Sequence, residues 1–187
     1  MNKQWGIVGT VVGLLVLGAF ALVRFSPERT GVAVGEKAPD YRTVSLASGD
    51  TVSLRALAKG HVSIVNIWAT WCGPCKEEMP AMQRTFAELG PQGFRILAVS
   101  IDEAGGEDVK RFADEMGITF DLLHDRSGRI QQLYQTTGVP ESFLLDREGR
   151  IVKRVIGAHD WSSPANRRLI ERYLGGAEAP AAAASAN

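Results

Sequence analysis

A short apolar run that leads directly into two closely spaced cysteines constrains this chain most. The run, residues 61–69, is rich in β-branched side chains and apolar at alternating positions on both faces, which predicts a central strand covered on both sides. The chain's only two cysteines, Cys72 and Cys75, follow in a C-x-x-C spacing. A helical pattern begins at the pair, so the sequence predicts a strand, a short turn and a helix, with both thiols at the helix start.

The helical pattern predicts different surroundings for the two sulfurs. At about 100° per residue, four apolar side chains lie within about 40° of Cys75 on the helix surface. These side chains are Met79, Met82, Phe86 and Leu89. We therefore expect Cys75 to be shielded by the core. Cys72 lies at the helix start, where unpaired N–H groups and the helix dipole favour a thiolate, so we expect Cys72 to be the attacking sulfur.

The segment from Asn66 to Pro80 resembles the active-site segment of the thioredoxin superfamily, and most of all its membrane-anchored ResA and TlpA branch. A C-x-x-C pair by itself also suits a zinc half-site or a structural disulfide. The surroundings favour a redox pair, because a buried strand precedes it, Trp71 stands before the first cysteine and Pro74 lies between the two. Pro80 follows where the first helix of that family is kinked.

The resemblance covers roughly Val34 to Leu174 and implies an α/β, thioredoxin-like fold. Helices flank a central mixed sheet in that fold, with an N-terminal β-hairpin and a central α–β insertion. Apolar periodicity and turn residues place further strands at 41–46, 51–54, 94–101, 118–123, 137–146 and 151–156. They place helices at 107–116, around 130–134 and from Asp160 or Ser163 onward.

The amino-terminal residues 7–23 form an uninterrupted apolar run between Lys3 and Arg24, which predicts a membrane-targeting element. The element is either an uncleaved anchor or a signal peptide cut after Ala21, since Ala19-Phe20-Ala21 suits a peptidase. Because the run continues past that site to Val23, the anchor is favoured. The flanking basic residues do not decide its orientation, so an outward-facing domain follows from the family resemblance.

These patterns divide the chain into four predicted parts. They are a membrane anchor at 1–25, a polar linker at 26–36, a thioredoxin-like domain at 37–174 and a disordered Ala/Pro/Ser tail at 175–187.

A carboxyl group near the cysteines is a candidate proton carrier. Glu78 lies about 60° from Cys75 on the helix surface, whereas Glu77 lies about 160° away and should face water. Asn66 stands where plain thioredoxins carry a buried aspartate, and a glutamate at the position of Glu78 is functional in ResA-like proteins. Partial burial beside two sulfurs should raise the pKa of Glu78, so that it carries a proton to and from Cys75. The alternative is a solvated charge paired with Lys or Arg.

The resemblance also implies a substrate platform around Cys72, formed by Trp71, Val139 and Pro140, with Pro140 in the cis form. Sequence alone would favour trans, since only ~5–6% of X–Pro bonds in folded proteins are cis. Glu141 either favours basic substrates or is an incidental surface charge. The three histidines, at strand and turn edges, are interpreted as structural or solvated, and no metal site or cofactor is predicted: His61, His124 and His159.

The formal charges cancel, so no basic field argues for nucleic acid. By resemblance we expect a monomeric thiol–disulfide oxidoreductase on the outer face of the inner membrane. It would reduce disulfides such as that of apocytochrome c with electrons from a CcdA- or DsbD-type transporter. Two alternatives remain. One is a peroxiredoxin-like peroxidase, although Thr70 is too close to Cys72 for that family's motif. The other is Cu(I) delivery through the same cysteines.

Overall fold

The computed structural model describes residues 12–18 and 31–180. Residues 12–18 are helical (α1), with exposed side chains. The rest of the predicted anchor, including the Ala19–Ala21 cleavage site, lies outside the described residues, as do residues 181–187 of the predicted tail. Within the described ranges, no helix has both the length and the apolar character needed to cross a membrane.

The described residues form a mixed sheet of seven strands. These are β1 (Arg42–Ser45), β2 (Thr51–Ser53), β3 (Val62–Trp68), β4 (Phe94–Ser100), β5 (Asp121–His124), β6 (Glu141–Leu145) and β7 (Ile151–Ile156). Their order across the sheet is β2-β1-β5-β4-β3-β6-β7. Strands β3, β4 and β5 are parallel to one another, and every other neighbouring pair is antiparallel. The predicted α/β fold class and amino-terminal hairpin are confirmed.

Helices connect the strands. They are α2 (Leu54–Ala58), α3 (Gly73–Leu89), α4 (Gly106–Glu115), α5 (Arg129–Leu133) and α6 (Pro164–Leu174), with a 3₁₀ turn at Gly90–Gln92. Pro80 lies inside α3 without ending it. Helix α4 and strand β5 form the predicted insertion.

Strand β3 is the centre of the molecule, because it pairs with β4 on one side and β6 on the other. All seven of its residues are buried, as its two apolar faces predict. The stripe of α3 that contains Cys75 packs into the same core, with Met79, Met82 and Leu89 buried. The two elements that meet at the cysteines therefore pack into one shared core.

Most element boundaries agree with the predictions to within one residue, and three differences go beyond such a shift. Strand β5 begins at Asp121 rather than Ile118. Ile118 and Phe120 are buried, but they lie in an irregular segment that precedes the strand. Leu54 does not end a strand but begins α2, whose five residues are too few to show a helical period of apolar residues. Ser53 caps this helix, because its hydroxyl accepts the Ala56 N–H at 3.1 Å. Strand β6 begins at Glu141, four residues later than predicted.

The domain extends beyond residues 37–174 at both ends. Val32 is buried, the Gly35 N–H donates to the Ile151 carbonyl at 2.8 Å, and the Ile151 N–H donates to the Glu36 carbonyl at 2.9 Å. The described part of the predicted linker, residues 31–36, is thus hydrogen-bonded to the first residue of β7. At the other end, the Ala179 N–H donates to the Asp146 carboxylate at 3.0 Å, so the described start of the predicted tail also contacts the domain.

Candidate active site

The site is built where β3 ends and α3 begins. Cys72 is the N-cap residue of α3, and its extended backbone lets its Sγ accept the Cys75 N–H at 3.1 Å. Pro74 occupies the first turn, where the missing N–H costs no helical hydrogen bond. The predicted placement of both cysteines at the helix start is therefore observed.

Cys72 and Cys75 form a disulfide, with their Cα atoms 5.3 Å apart. Cys75 is wholly buried, whereas 5% of Cys72 is exposed. Trp71, directly before Cys72, is one of the most exposed large apolar residues of the described domain, at 66%. A partner molecule that approaches this end of the sheet meets Trp71 and Cys72 before Cys75, which agrees with Cys72 as the attacking sulfur.

The loop before β6 lies against Cys72. The Val139–Pro140 peptide bond is cis, as the resemblance implies, and Pro140 is buried. The Val139 carbonyl oxygen lies 3.5 Å from the Cys72 Sγ. That sulfur carries no proton in the disulfide, but a reduced Cys72 thiol at this distance can donate to the Val139 oxygen. The structure thus brings together Trp71, Val139 and Pro140 around Cys72.

Glu78 is buried one helical turn after Cys75, with 3% of its surface exposed. Its carboxylate accepts the Asn66 Nδ2–H at 2.8 Å and the His159 backbone N–H at 3.2 Å. Burial raises the pKa of Glu78 to about 7, against the opposing effect of the two hydrogen bonds. Glu77 is exposed, as its helical angle predicts. The alternative of a solvated surface charge is therefore wrong for Glu78.

Asn66 connects Glu78 to the sheet. Its Nδ2 donates both to Glu78 and to the Ser142 Oγ, at 2.9 Å, on neighbouring β6. Its Oδ1 is buried and finds no hydrogen-bond partner within the described part of the chain. A carboxyl group that holds or releases a proton near pH 7 therefore lies in a buried polar cluster beside the second cysteine, where solvent does not reach it directly.

One contact of this site, from the backbone of His159, was not predicted. His159 lies 81 residues beyond Glu78, yet its backbone N–H reaches the carboxylate. Its ring packs against Trp161 at 5.0 Å, and its Nε2 lies 2.8 Å from the Asn166 Nδ2. Nothing in the sequence signals this contact, because it depends on how the loop after β7 folds back.

The described residues hold no cluster of three or more His, Cys, Asp and Glu side chains placed to bind a metal ion.

Asp102 fixes the turn that leads into the cysteines. It is buried and accepts the Thr70 N–H at 3.0 Å, the Thr70 Oγ1–H at 2.6 Å and the Ser100 Oγ–H at 2.6 Å. The turn from β3 is thereby tied to the end of β4. The sequence contains one signal for this role of Asp102, namely an acidic residue that directly follows the predicted buried strand 94–101.

Glu141 requires a correction, since it is neither a surface charge nor placed to face a substrate. It is wholly buried, pairs with the Arg154 Nε and accepts the Thr137 N–H at 3.2 Å. Arg154 also donates to the Gln135 carbonyl at 2.8 Å. The ion pair therefore holds residues 135–137, directly before the Val139–Pro140 loop.

A mixed sheet, a C-x-x-C disulfide at the start of a helix and a cis-proline beside the first sulfur define a thioredoxin-like protein. Residues 34–154 match the model of the AhpC/TSA family, and the chain belongs to that family. The thiol-disulfide oxidoreductase ResA of Geobacillus thermodenitrificans is 35% identical over 161 residues, which cover 84% of this chain and 91% of that protein. The activity named for this relative agrees with the Cys72–Cys75 pair of the site, so the chain is a thiol–disulfide oxidoreductase.

Solved structures support the same class. One is the crystal structure of a candidate thiol:disulfide interchange protein DsbE from Chlorobium tepidum, with a TM-score of 0.65 and 30% identity over 77% of this chain and 96% of that one. Another is the solution structure of a thiol:disulfide interchange protein from Bacteroides sp., with a TM-score of 0.66 and 27% identity over 78% and 93%. Both solved chains correspond in extent to the domain of this protein, which matches 96% and 93% of their lengths.

Proposed function

We propose that this chain is a membrane-tethered reductase of protein disulfides that works outside the cytoplasm, and that apocytochrome c is its substrate. The observation that carries the proposal is the pairing of Cys72, which is 5% exposed and follows the exposed Trp71, with a wholly buried Cys75 one turn before a buried Glu78. An attacking sulfur needs access, whereas the sulfur that completes the exchange needs only its partner and a proton acceptor.

The reaction starts from the reduced pair. The Cys72 thiolate attacks one sulfur of the substrate disulfide, forms a mixed disulfide with it and releases the other substrate sulfur as a thiolate. Glu78 accepts the proton of the Cys75 thiol, and the Cys75 thiolate then attacks the Cys72 sulfur. The Cys72–Cys75 disulfide forms, and the second substrate sulfur leaves as a thiolate. Two electrons pass to the substrate, and its two thiolates take up protons.

The direction of electron flow is part of the proposal. In the superfamily that the chain resembles, Gly-Pro between the cysteines goes with reducing members. A reductant in an oxidising compartment must itself be reduced from inside, so we propose a membrane thiol transporter of the CcdA or DsbD type as the donor. The apolar run at 7–23 would hold the protein on the inner membrane, close to both that donor and a translocating apocytochrome c.

Trapping of mixed disulfides tests the order of attack. In the soluble fragment 26–187, Cys75→Ser should accumulate adducts on Cys72 because the second attack is missing, while Cys72→Ser should trap almost none. Mass spectrometry of the adducts identifies the sulfur. Adducts that form mainly through Cys75 would overturn the assignment.

A peptide with an oxidised C-x-x-C-H pair tests direction and substrate. The reduced fragment should reduce this peptide faster than insulin, and the oxidised fragment should not oxidise the reduced peptide appreciably. Net oxidation of the peptide would contradict a reductase. Peroxide consumption and Cu(I) binding, measured on the same preparation, distinguish the peroxidase and copper-delivery alternatives.

A further inference from the structure

One cavity of the described domain lies away from the cysteines and takes no part in the chemistry above. It has a volume of about 570 Å³ and lies between α2, the turn after β6 and the chain around Pro39. Leu54, Ala58 and Leu145 give it an apolar floor. Its size is within the ~300–1,000 Å³ usual for ligand pockets, so it is large enough for a headgroup-sized molecule.

The lining of this cavity is strongly basic. The lining contains one acidic side chain, Glu148. Its basic side chains number four: Lys37, Arg55, Lys59 and Arg147. The whole chain has equal numbers of basic and acidic residues, 21 of each, so this excess is local. Arg147 also donates to the Leu174 carbonyl at 2.6 Å. Arg55 and Lys59 are exposed and four residues apart along α2 and its cap, which places them on one side of it.

The cavity also lies where the amino-terminal part of the chain joins the domain. The Gly31 N–H donates to the Lys37 carbonyl at 3.0 Å, so Gly31 lies beside a residue of the cavity lining. Gly31, the first described residue of the domain, therefore lies next to the cavity lining.

The cavity lies at the opposite end of the sheet from the cysteines. Leu145 of its floor pairs with Ser63, near the start of β3, whereas Glu141 pairs with Ile67, near Cys72. At about 3.3 Å per residue, the stretch of β3 from Ser63 to Trp68 separates the two ends by roughly 16 Å. A surface that covered the cavity would leave Cys72 uncovered.

We infer that this basic cavity is a docking site for the phosphate headgroup of an anionic phospholipid in the membrane to which the tether leads. The inference rests on the tether of the proposed function. A membrane surface with anionic lipid attracts each nearby Lys or Arg by about 1 kcal/mol, and the apolar floor accommodates the glycerol and upper acyl carbons. The domain then lies on the bilayer through the cavity end of the sheet, and the Cys72 end stays uncovered and open to both the electron donor and the protein substrates.

Vesicle co-sedimentation of the fragment 26–187 tests the inference without the anchor. The fragment should bind vesicles that mix phosphatidylglycerol with phosphatidylcholine and should be released from them as the salt concentration rises. It should not bind vesicles of pure phosphatidylcholine. Arg55→Gln with Lys59→Gln should lower the partition by roughly 30-fold, at about 1 kcal/mol per charge. The matched control, Lys110→Gln with Arg168→Gln, removes two exposed charges elsewhere and should stay within about twofold of the unmodified fragment.

Three results would overturn the docking site. These are equal binding to both kinds of vesicle, equal loss in both double variants, and binding of inorganic phosphate without binding of vesicles, which would assign the cavity to a soluble anion. Insulin reduction in solution separates this inference from the proposed function. The Arg55→Gln, Lys59→Gln variant should reduce insulin at the unmodified rate. If the unmodified fragment fails to reduce insulin, the reductase proposal fails whatever the vesicles show.

Discussion

At the scale of single residues, Glu78 is the group best placed to exchange a proton with Cys75 near neutral pH. It lies one turn along α3 from that cysteine, and burial raises its pKa to about 7. Glu78→Gln should therefore slow insulin reduction, by roughly 10²-fold if the carboxyl acts as general base, and flatten the rate profile around pH 7. Glu77→Gln is the control and should change neither. Equal effects of both substitutions would exclude a specific role for Glu78.

The same raised pKa makes folding stability depend on pH. Because the folded pKa of Glu78 exceeds its ordinary value of 4.5, the folded state holds the proton more tightly than the unfolded state. This stabilisation is fully present below about pH 4.5 and is lost as the pH rises through about 7, at most about 3 kcal/mol. Denaturant unfolding should show this loss in the unmodified protein and in Glu77→Gln. A loss of the same size in Glu78→Gln would contradict it.

Glu141 shows where residue-level prediction reaches its limit. Helical angles separate Glu78 from Glu77 because both lie on one element. The environment of Glu141 depends instead on β7, whose register brings Arg154 beside it. No periodicity within β6 contains that information, so the sequence could not show that Glu141 is paired and buried.

The Glu141–Arg154 pair should be important for stability. Arg154→Ala leaves a wholly buried carboxylate without its cation, which typically costs about 3–5 kcal/mol. Arg95→Ala is the control, since Arg95 pairs with Asp121 at 3.6 Å on the surface and should cost less than about 1 kcal/mol. Chemical denaturation of both variants measures the difference. Similar losses in the two would mean that Glu141 finds another partner.

At the scale of elements, the predictions succeed where one period runs over many residues. Strand β3 and helix α3 were predicted with the cysteines in place, because each has a long apolar pattern. Helix α2 was missed, since five residues hold little more than one turn. Ile118 and Phe120 were assigned to a strand because they are apolar, and they are indeed buried, but they do not pair with a neighbouring strand. Burial is thus easier to predict than the hydrogen bonding that accompanies it.

Asp102 joins two elements, and its removal should affect both stability and activity. Asp102→Ala leaves the Thr70 N–H and two hydroxyls without their acceptor, at about 1–3 kcal/mol for each buried unpaired group. The turn before Cys72 should loosen, so insulin reduction should slow as well. The neighbouring exposed residue supplies the control, Glu103→Ala, which should be silent in both assays. Full activity in Asp102→Ala would show that the turn before Cys72 does not need its hydrogen bonds to Asp102 for activity.

At the scale of the whole molecule, the order of the elements along the chain was predictable but the neighbours of the hairpin were not. Strand β1 pairs with β5, inside the predicted insertion, nearly 80 residues away at Val44 and His124. A hairpin sequence specifies its own two strands and not the sheet edge that it joins. The insertion therefore provides the edge on which the amino-terminal hairpin packs, whereas hydrogen bonds of Gly35 and Glu36 to Ile151 hold residues 31–36 at the start of β7, on the other side of the sheet.

The tether is the last prediction and concerns the full chain. If residues 7–23 remain as an anchor, the eight residue steps from Val23 to Gly31 span at most about 26–29 Å when extended, so the domain works only within that distance of the bilayer. Burying the apolar run contributes roughly 0.8 kcal/mol per CH₂, and the protein should therefore stay with membranes after carbonate washing and still carry residues 7–23. Cell fractionation with amino-terminal sequencing measures both. A soluble form that begins at Leu22 as the main species would exclude the tether, while the exchange chemistry of Cys72 and Cys75 would be unaffected.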